Sequence, residues 1–284
     1  MTRYLCQTVA VTIIACCAVD AAAQPAEVRT APVMYELVLR DGSRVYGTVT
    51  HESPDAVVLT TVSGVTVTAQ RTQIVALEPI TGRIVNDEFQ RADPNTTRLF
   101  FAPTGRALEK GKAYLGVYQV FVPSFQVGVT NRFSLGGGTP LLFFGEDDWD
   151  RPFWITPKMQ VFDSGRVQVA AGAFHAFDTS GAGGGIAYAV ATAGTITGSI
   201  SGGGGVAYAI DGGRTFIAML GGDRQVARNI KVITENYVWK NGDGMLSFGF
   251  RFFGEQLSAD LGVAVPLGAE SVYAFPVVNF VYSF

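Results

Sequence analysis

The chain has 284 residues, 34 of them glycine, and is 48% hydrophobic, 12% aromatic and only 16% charged, with a net charge of −3. Ordinary globular domains carry roughly 7% glycine and ~25% charged residues, and disordered chains are poor in apolar residues, so disorder is excluded. The absence of a Gly-x-y period excludes collagen, and the acidic balance offers no basic stripe for nucleic acid.

The first element is an export signal. Arg3 precedes an apolar run from Val9 to Val19, and Ala21-Ala22-Ala23 stands before Gln24. That is the order of charge, apolar core and A-x-A site in a secretory signal peptide. Cleavage after Ala23 removes residues 1–23 and with them all three cysteines, Cys6, Cys16 and Cys17. The exported chain then has neither disulfide nor thiol chemistry. Ile13-Ile14-Ala15-Cys16 is the competing lipoprotein-type site, and it leaves the apolar core short.

After a short linker at 24–32, residues 33–80 read as compact strands with explicit turns. Tyr35–Arg40 alternates and stops at Asp41-Gly42-Ser43; Arg44–Thr50 follows, then a turn at Ser53-Pro54-Asp55. Ala56–Thr61 and Val65–Ala69 flank Ser63-Gly64, and Gln73–Glu78 completes the set. Five short strands predict a small closed or nearly closed barrel. The segment LRDGSRVYGTV…VVLTTVSGVTVTAQRTQIVALEP, about residues 34–79, resembles the Sm and SH3-like small barrels. The resemblance implies a fold and no function.

Residues 81–111 read as a polar, irregular linker. Its part Asp93-Pro94-Asn95-Thr96-Thr97-Arg98-Leu99-Phe100-Phe101-Ala102-Pro103-Thr104-Gly105-Arg106, continuing through Glu109–Leu115 and joined by Phe125–Gly138, resembles a family of bacterial proteins. These pair a small N-terminal barrel with an outer-membrane-like β domain. That resemblance implies architecture and location and supplies no catalytic residue.

From 112 to 284 the period is two. Leu246, Phe248, Phe250 and Phe252 share one face, opposite Met245, Ser247, Gly249, Arg251 and Phe253. Leu257, Ala259, Leu261, Val263 and Val265 oppose Ser258, Asp260, Gly262 and Ala264, and Phe125, Val127 and Val129 oppose Gln126, Gly128 and Thr130. Such segments have the length of tilted strands that cross a bilayer. A soluble sandwich produces the same alternation. Three features favour the membrane. The last strand places Val278, Phe280, Tyr282 and Phe284 on one face and ends on an aromatic, the form of the signal that outer-membrane barrels present to their assembly machinery. The opposite strand faces carry small, weakly polar residues suited to a lumen. No clean apolar helix follows the signal, and an open sheet cannot stand in lipid. Counting segments predicts an antiparallel transmembrane-type barrel of about 10–12 strands. An even count keeps both barrel termini, and the small domain, on the periplasmic side.

Glycine concentrates between 181 and 222, where Gly183-Gly184-Gly185-Ile186-Ala187-Tyr188-Ala189-Val190 recurs as Gly203-Gly204-Gly205-Val206-Ala207-Tyr208-Ala209-Ile210. The repeat predicts paired, strongly curved strands. A nucleotide loop is not supported, since G-x-x-x-x-G-K-[ST] is missing.

Candidate chemistry is sparse. His51 adjoins Glu52; His175 is followed by Asp178, on the opposite face of an extended strand and without a G-x-S-x-G elbow. Glu146-Asp147-Asp148-Trp149-Asp150-Arg151 lacks the spacing of a calcium loop and reads as a solvated rim. Arg251 and Asp260 face inward on successive strands and are expected to pair in the lumen, with Lys158, Lys231 and Glu235 as further members. The lining is either a solute filter or a packed, plugged interior.

The sequence therefore reads as an all-β, noncatalytic cell-envelope protein without metal or cofactor. A periplasmic small domain that engages a protein or peptide is joined to an outer-membrane barrel that meets lipid and the barrel assembly machinery. A pore for small solutes and a soluble exported binding protein are the alternatives.

Overall fold

A computed structural model describes residues 33–80, 82–85, 88–141, 152–177, 183–209, 212–268 and 273–284. The signal segment 1–23, the acidic run 146–151 and Asp178 lie outside the described residues. The chain divides into two compact units, Met1–Ala92 and Asp93–Phe284.

In the first unit, β1 (Met34–Leu39), β2 (Arg44–Glu52), β3 (Ala56–Thr61), β4 (Thr66–Gln70) and β5 (Ile74–Ile80) form an antiparallel sheet of order β4-β3-β2-β1-β5. Asp41 accepts hydrogen bonds from the Ser43 backbone N–H (2.9 Å) and hydroxyl, and Gly42 takes φ +84° at the β1–β2 turn. Leu37, Val57, Leu59 and Ala69 form the core, with Val49, Ile74 and Leu77 packed against it. Of the closed or nearly closed small barrel expected, closure is not found: among the described residues β4 and β5 are the sheet's two edges and do not pair. The strands are short, and β5 runs into Pro79, which has no N–H to offer a partner. The unit continues past residue 80 as a two-stranded hairpin, β6 (Gly82–Val85) with β7 (Glu88–Arg91).

Glu36 lies on β1 with its side chain buried. It accepts hydrogen bonds from Tyr46 Oη (2.9 Å), Arg44 Nη1 (3.0 Å) and Arg91 Nη2 (2.8 Å). Burial alone pushes its carboxyl up, but the bonds from Arg91, Tyr46 and Arg44 outweigh burial and hold it below its ordinary value.

The second unit is a closed antiparallel barrel. Its strands are β8 (Ala113–Tyr118), β9 (Val122–Gly128), β10 (Phe133–Gly138), β11 (Phe153–Ile155), β12 (Lys158–Asp163), β13 (Val167–Phe177), β14 (Gly183–Thr195), β15 (Gly198–Ala209), β16 (Arg214–Ala227), β17 (Ile230–Val238), β18 (Gly244–Phe253), β19 (Leu257–Leu267) and β20 (Phe275–Ser283). β11 and β12 both pair β10 and β13 and together fill one position, broken at Thr156-Pro157, so the wall has 12 strand positions. β20 pairs β8, Asn279 facing Tyr118 and Ser283 facing Tyr114, which closes the wall.

The faces follow the period of two. Phe248, Phe250 and Phe252 are 40–44% exposed, while Ser247, Gly249 and Arg251, which alternate with them, are buried. Leu261, Val263, Phe280 and Tyr282 are likewise exposed and Ser258, Asp260, Asn279 and Val281 buried. Leu115, Phe125, Leu135, Met159, Val206, Phe216 and Leu220 continue the apolar exterior around the wall. An apolar face this extensive is far beyond what a monomeric soluble surface exposes. It matches the outward band of a membrane barrel. No helix among the described residues is long and apolar enough to cross a membrane.

The glycine repeat falls on adjacent strands. In the β14–β15 ladder Tyr188 faces Gly205 and Gly185 faces Tyr208. The antiparallel register thus sets each tyrosine across from the other copy's glycine, whose missing side chain makes room for the ring.

Candidate functional site: a hairpin inside the barrel

Twelve strands enclose a lumen too wide for their own side chains to fill. Residues 93–106 fill part of it. This segment was expected to belong to a linker spanning 81–111; instead it folds within the barrel unit, with Asn95, Leu99, Phe100 and Thr104 almost wholly buried. It is a hairpin: Leu99 N donates to Ala102 O (2.8 Å), Thr104 N to Thr97 O (2.9 Å), and Arg98 bridges Pro103. Asp93 Oδ1 accepts from Asn95 N (2.9 Å), which turns the chain at the entry. Pro94 and Pro103 lack the N–H that joining the wall ladder would require.

The tip is apolar. Leu99 and Phe100 pack with Ile233, Ala264 and Val277 of the wall, backed by Met219 and Met245. Small wall residues admit the tip, since a Cβ on Gly221 would stand 2.6 Å from Leu99 Cδ1 and one on Gly262 3.3 Å from Phe100 Cζ. At the other flank Gly105 itself lies against the wall, where a Cβ would collide with the carbonyl of Gln168.

Charge holds the rest. Arg251 and Asp260 stand directly opposite each other in the β18–β19 register and pair Nε to Oδ1 at 2.6 Å. Arg251 Nη1 also donates to Asp93 Oδ2 (3.0 Å) and Asn95 O (2.7 Å), and Nη2 to Leu99 O (2.5 Å). Asp260 Oδ2 accepts from Arg98 Nη1 (2.8 Å) and Asn279 Nδ2 (3.2 Å). Lys231 Nζ lies 3.4 Å from Asp93 and 2.6 Å from Asp223. The wall pair is thus half of a larger cluster whose other half, Asp93 and Arg98, comes from the hairpin.

Two further wall ions bracket the hairpin backbone. Glu235 Oε2 accepts the N–H groups of Phe101 (3.0 Å) and Ala102 (3.1 Å), and its Oε1 accepts Tyr237 Oη (2.6 Å). Lys158 Nζ donates to the carbonyls of Thr97 (3.2 Å), Thr104 (3.4 Å) and Arg106 (2.8 Å). An anion takes the amides and a cation the carbonyls, so both buried charges are solvated by backbone dipoles. Gly105 N donates to Thr192 Oγ1 (2.8 Å), and Arg106 Nη2 to Thr195 O (2.7 Å).

Cavities flank the hairpin on both sides. One of about 650 Å³ includes Arg106, Gln160, Gln168 and Thr195, at the barrel end with the short connections 129–132, 164–166, 196–197 and 228–229. One of about 310 Å³ includes Arg98, Phe101, Tyr118, Trp154 and Lys158, toward the end with the longer connections 139–152, 178–182 and 268–274.

The remaining sequence candidates lie elsewhere. Phe280, Tyr282 and Phe284 are exposed on the outer face; Val278 shares that face and its N–H donates to Gln119 Oε1 (3.0 Å). Tyr282 Oη bonds Gln256 Oε1 (2.5 Å), and Phe284 N donates to Ala113 O (2.8 Å) at the closing seam. His175 Nδ1 bonds Tyr208 Oη (2.8 Å), and its ring meets Phe177, which in turn stacks on Phe153. His51 is exposed on β2. Among the described residues no group of histidine, cysteine and carboxylates could hold a metal ion. Sequence reasoning missed Asp93, Arg98, Asp223 and Asn279. The signal for Asp93 and Arg98 was the apolar tip Leu99-Phe100-Phe101 inside a polar stretch; Asp223 and Asn279 lie on wall strands β16 and β20.

No protein-family model matches the chain, and no curated protein does. Among solved structures it is similar to the KdgM porin in complex with disordered oligogalacturonate, at 11% identity and a TM-score of 0.46, covering 61% of this chain and 98% of that one. It is also similar to the outer-membrane-expressed OmpT of Vibrio cholerae, at 11% identity and a TM-score of 0.33, covering 89% and 95%. At that level nothing about ligands or partners carries over, and the site is read from this chain's own residues.

Proposed function

We propose that the chain is a noncatalytic outer-membrane β-barrel, plugged by its own 93–106 hairpin, that anchors the N-terminal β unit in the periplasm. The observation that carries this reading is the bracketing of the hairpin by Glu235, Lys158 and the Arg251–Asp260–Asp93–Arg98 cluster. A free passage leaves luminal charges facing water, whereas here they are spent on one internal segment. The apolar exterior supports lipid as the surrounding medium and speaks against a soluble exported protein. The shortest connections and both barrel termini, Ala113 and Phe284, share one barrel end, which supports the periplasm as the side that end faces. The N-terminal unit's two sheet edges, unpaired among the described residues, suit an extended peptide or protein partner. The outward row Val278, Phe280, Tyr282 and Phe284 on the last strand is the part offered to the assembly machinery.

A pore for small solutes is the second reading, and it requires the hairpin to leave the lumen. Membrane fractionation with the gel shift between unheated and boiled protein tests the anchor: recovery in the outer membrane with a heat-dependent shift is expected, and release by salt alone overturns it. Planar-bilayer recording tests the plug. Wild-type protein is expected to give no steady conductance, and stable open channels would overturn the plugged reading.

A further inference from the structure

The cavity of about 310 Å³ on the longer-loop side of the hairpin is lined by two cations, Arg98 and Lys158, and by no carboxylate among the described residues. Lys158 is engaged by its three carbonyls. Arg98 is only half engaged. Its Nη1 serves Asp260 and the carbonyls of Leu99 and Phe100, while Nε and Nη2 are buried without a hydrogen-bond partner. The side chain is 3% exposed. Unmet donors of a buried guanidinium are costly. Nε and Nη2 form the edge of the guanidinium fork that matches the two oxygens of a carboxylate.

The Tyr118 ring lies against the Arg98 guanidinium, with its centroid 5.2 Å from Cζ. Tyr118 ends β8, and the next two residues, Gln119 and Val120, take φ +49° and +70°. A β-branched residue in the left-handed region is strained. Backbone strain of this kind gathers at switch and ligand-binding positions. The ring over Arg98 is therefore hinged on the strained turn. Beside it, Trp154 and Phe174 stack at 5.9 Å and give the cavity an aromatic wall.

We propose that this cavity binds a small planar organic carboxylate. Its two oxygens take Nε and Nη2 of Arg98 as the Tyr118 ring turns aside, and its ring lies against Trp154 and Phe174. Lys158 adds the second positive charge, and the volume suits a single-ring acid. The inference needs the hairpin in the lumen but does not depend on what the N-terminal unit engages.

The test is calorimetric titration of benzoate and of benzamide, its uncharged isostere, into the folded full-length protein in detergent micelles. Benzoate is expected to saturate and benzamide to bind at least about tenfold more weakly. Arg98→Lys keeps a cation beside Asp260 but removes the paired N–H edge, and is expected to weaken benzoate about tenfold or more. Ser124→Phe fills the cavity from the wall while leaving Arg98 and every hairpin residue unsubstituted, and is expected to abolish benzoate binding; it decides the matter if Arg98→Lys does not fold. Absence of benzoate binding, equal affinity for the two probes, or wild-type benzoate affinity in either folded variant overturns the assignment.

Discussion

Arg251 and Asp260 face each other across adjacent strands at 2.6 Å, and each also reaches a residue of the internal hairpin, Asp93 and Arg98 respectively. The pair is thus the joint between wall and plug. Removing one member leaves buried charge uncompensated, which costs about 3–5 kcal/mol. Asp260→Ala strips the carboxylate from two arginines at once. It is expected to lower the urea stability of the folded barrel by that amount. The double variant with Arg251→Ala should then cost less than the sum of the singles by about 0.5–3 kcal/mol. Additive losses in the denaturation curves would show that the two residues do not work as a unit.

The hairpin's ties come mostly from side chains of the wall, and the wall's own hydrogen bonds run strand to strand. Replacing 95–104 by a Gly-Ser linker of equal length should therefore leave a closed barrel with an emptied lumen. The expected result is steady conductance in planar bilayers together with an unchanged heat-dependent gel shift. A replaced protein that migrates as a folded barrel yet stays electrically silent would mean that something other than the hairpin occludes the lumen.

What the sequence made legible follows from its period. Alternation over 245–253 and 257–265 sets Arg251 and Asp260 on the inner face and Phe248, Phe250 and Leu261 on the outer, because a strand's side chains change sides at every residue. The same logic cannot see residues 93–106. Their hydrogen-bonded partners on the wall lie mostly more than fifty positions away, as with Arg98 and Asp260, and many of these bonds run from backbone to wall side chains rather than along a ladder. A segment without a period thus reads as a linker although it is buried. Closure of the small domain is equally non-local, since whether β4 meets β5 depends on sheet curvature and not on either strand's pattern.

Glu36 makes the N-terminal unit acid-sensitive. Its carboxyl is held below the ordinary value by Arg91, Tyr46 and Arg44 against the effect of burial. A lowered folded value contributes stability that is fully present above the unfolded value of roughly 4.3. That contribution is lost as pH falls through the folded value. Glu36→Gln is expected to remove this dependence, so wild type and variant should converge in acid and diverge toward neutrality. Hydrogen-exchange mass spectrometry of the β1 peptide in the full chain reads this when both proteins are compared at each pH. A constant difference across pH 3–7 would exclude Glu36 as the source.

The outer face separates a membrane barrel from a soluble one by a single charge. Phe248 is 44% exposed near the middle of β18, its ring meeting that of Phe250 on the same outer face at 5.7 Å. In water, exchanging an exposed phenylalanine for arginine is nearly free, because surface substitutions usually stay within about 0.5 kcal/mol. In lipid the same change places a cation at mid-depth and costs about 2–4 kcal/mol. Phe248→Arg is therefore expected to reduce folding into lipid vesicles by that amount. Tyr282→Arg, close to the short-connection rim, should cost about 0–1 kcal/mol, because the penalty fades toward the interface. The contrast between the two positions is the informative quantity: a soluble fold treats both alike, and only a bilayer grades them by depth. Equal and small effects at both would remove lipid as the medium that explains the apolar exterior.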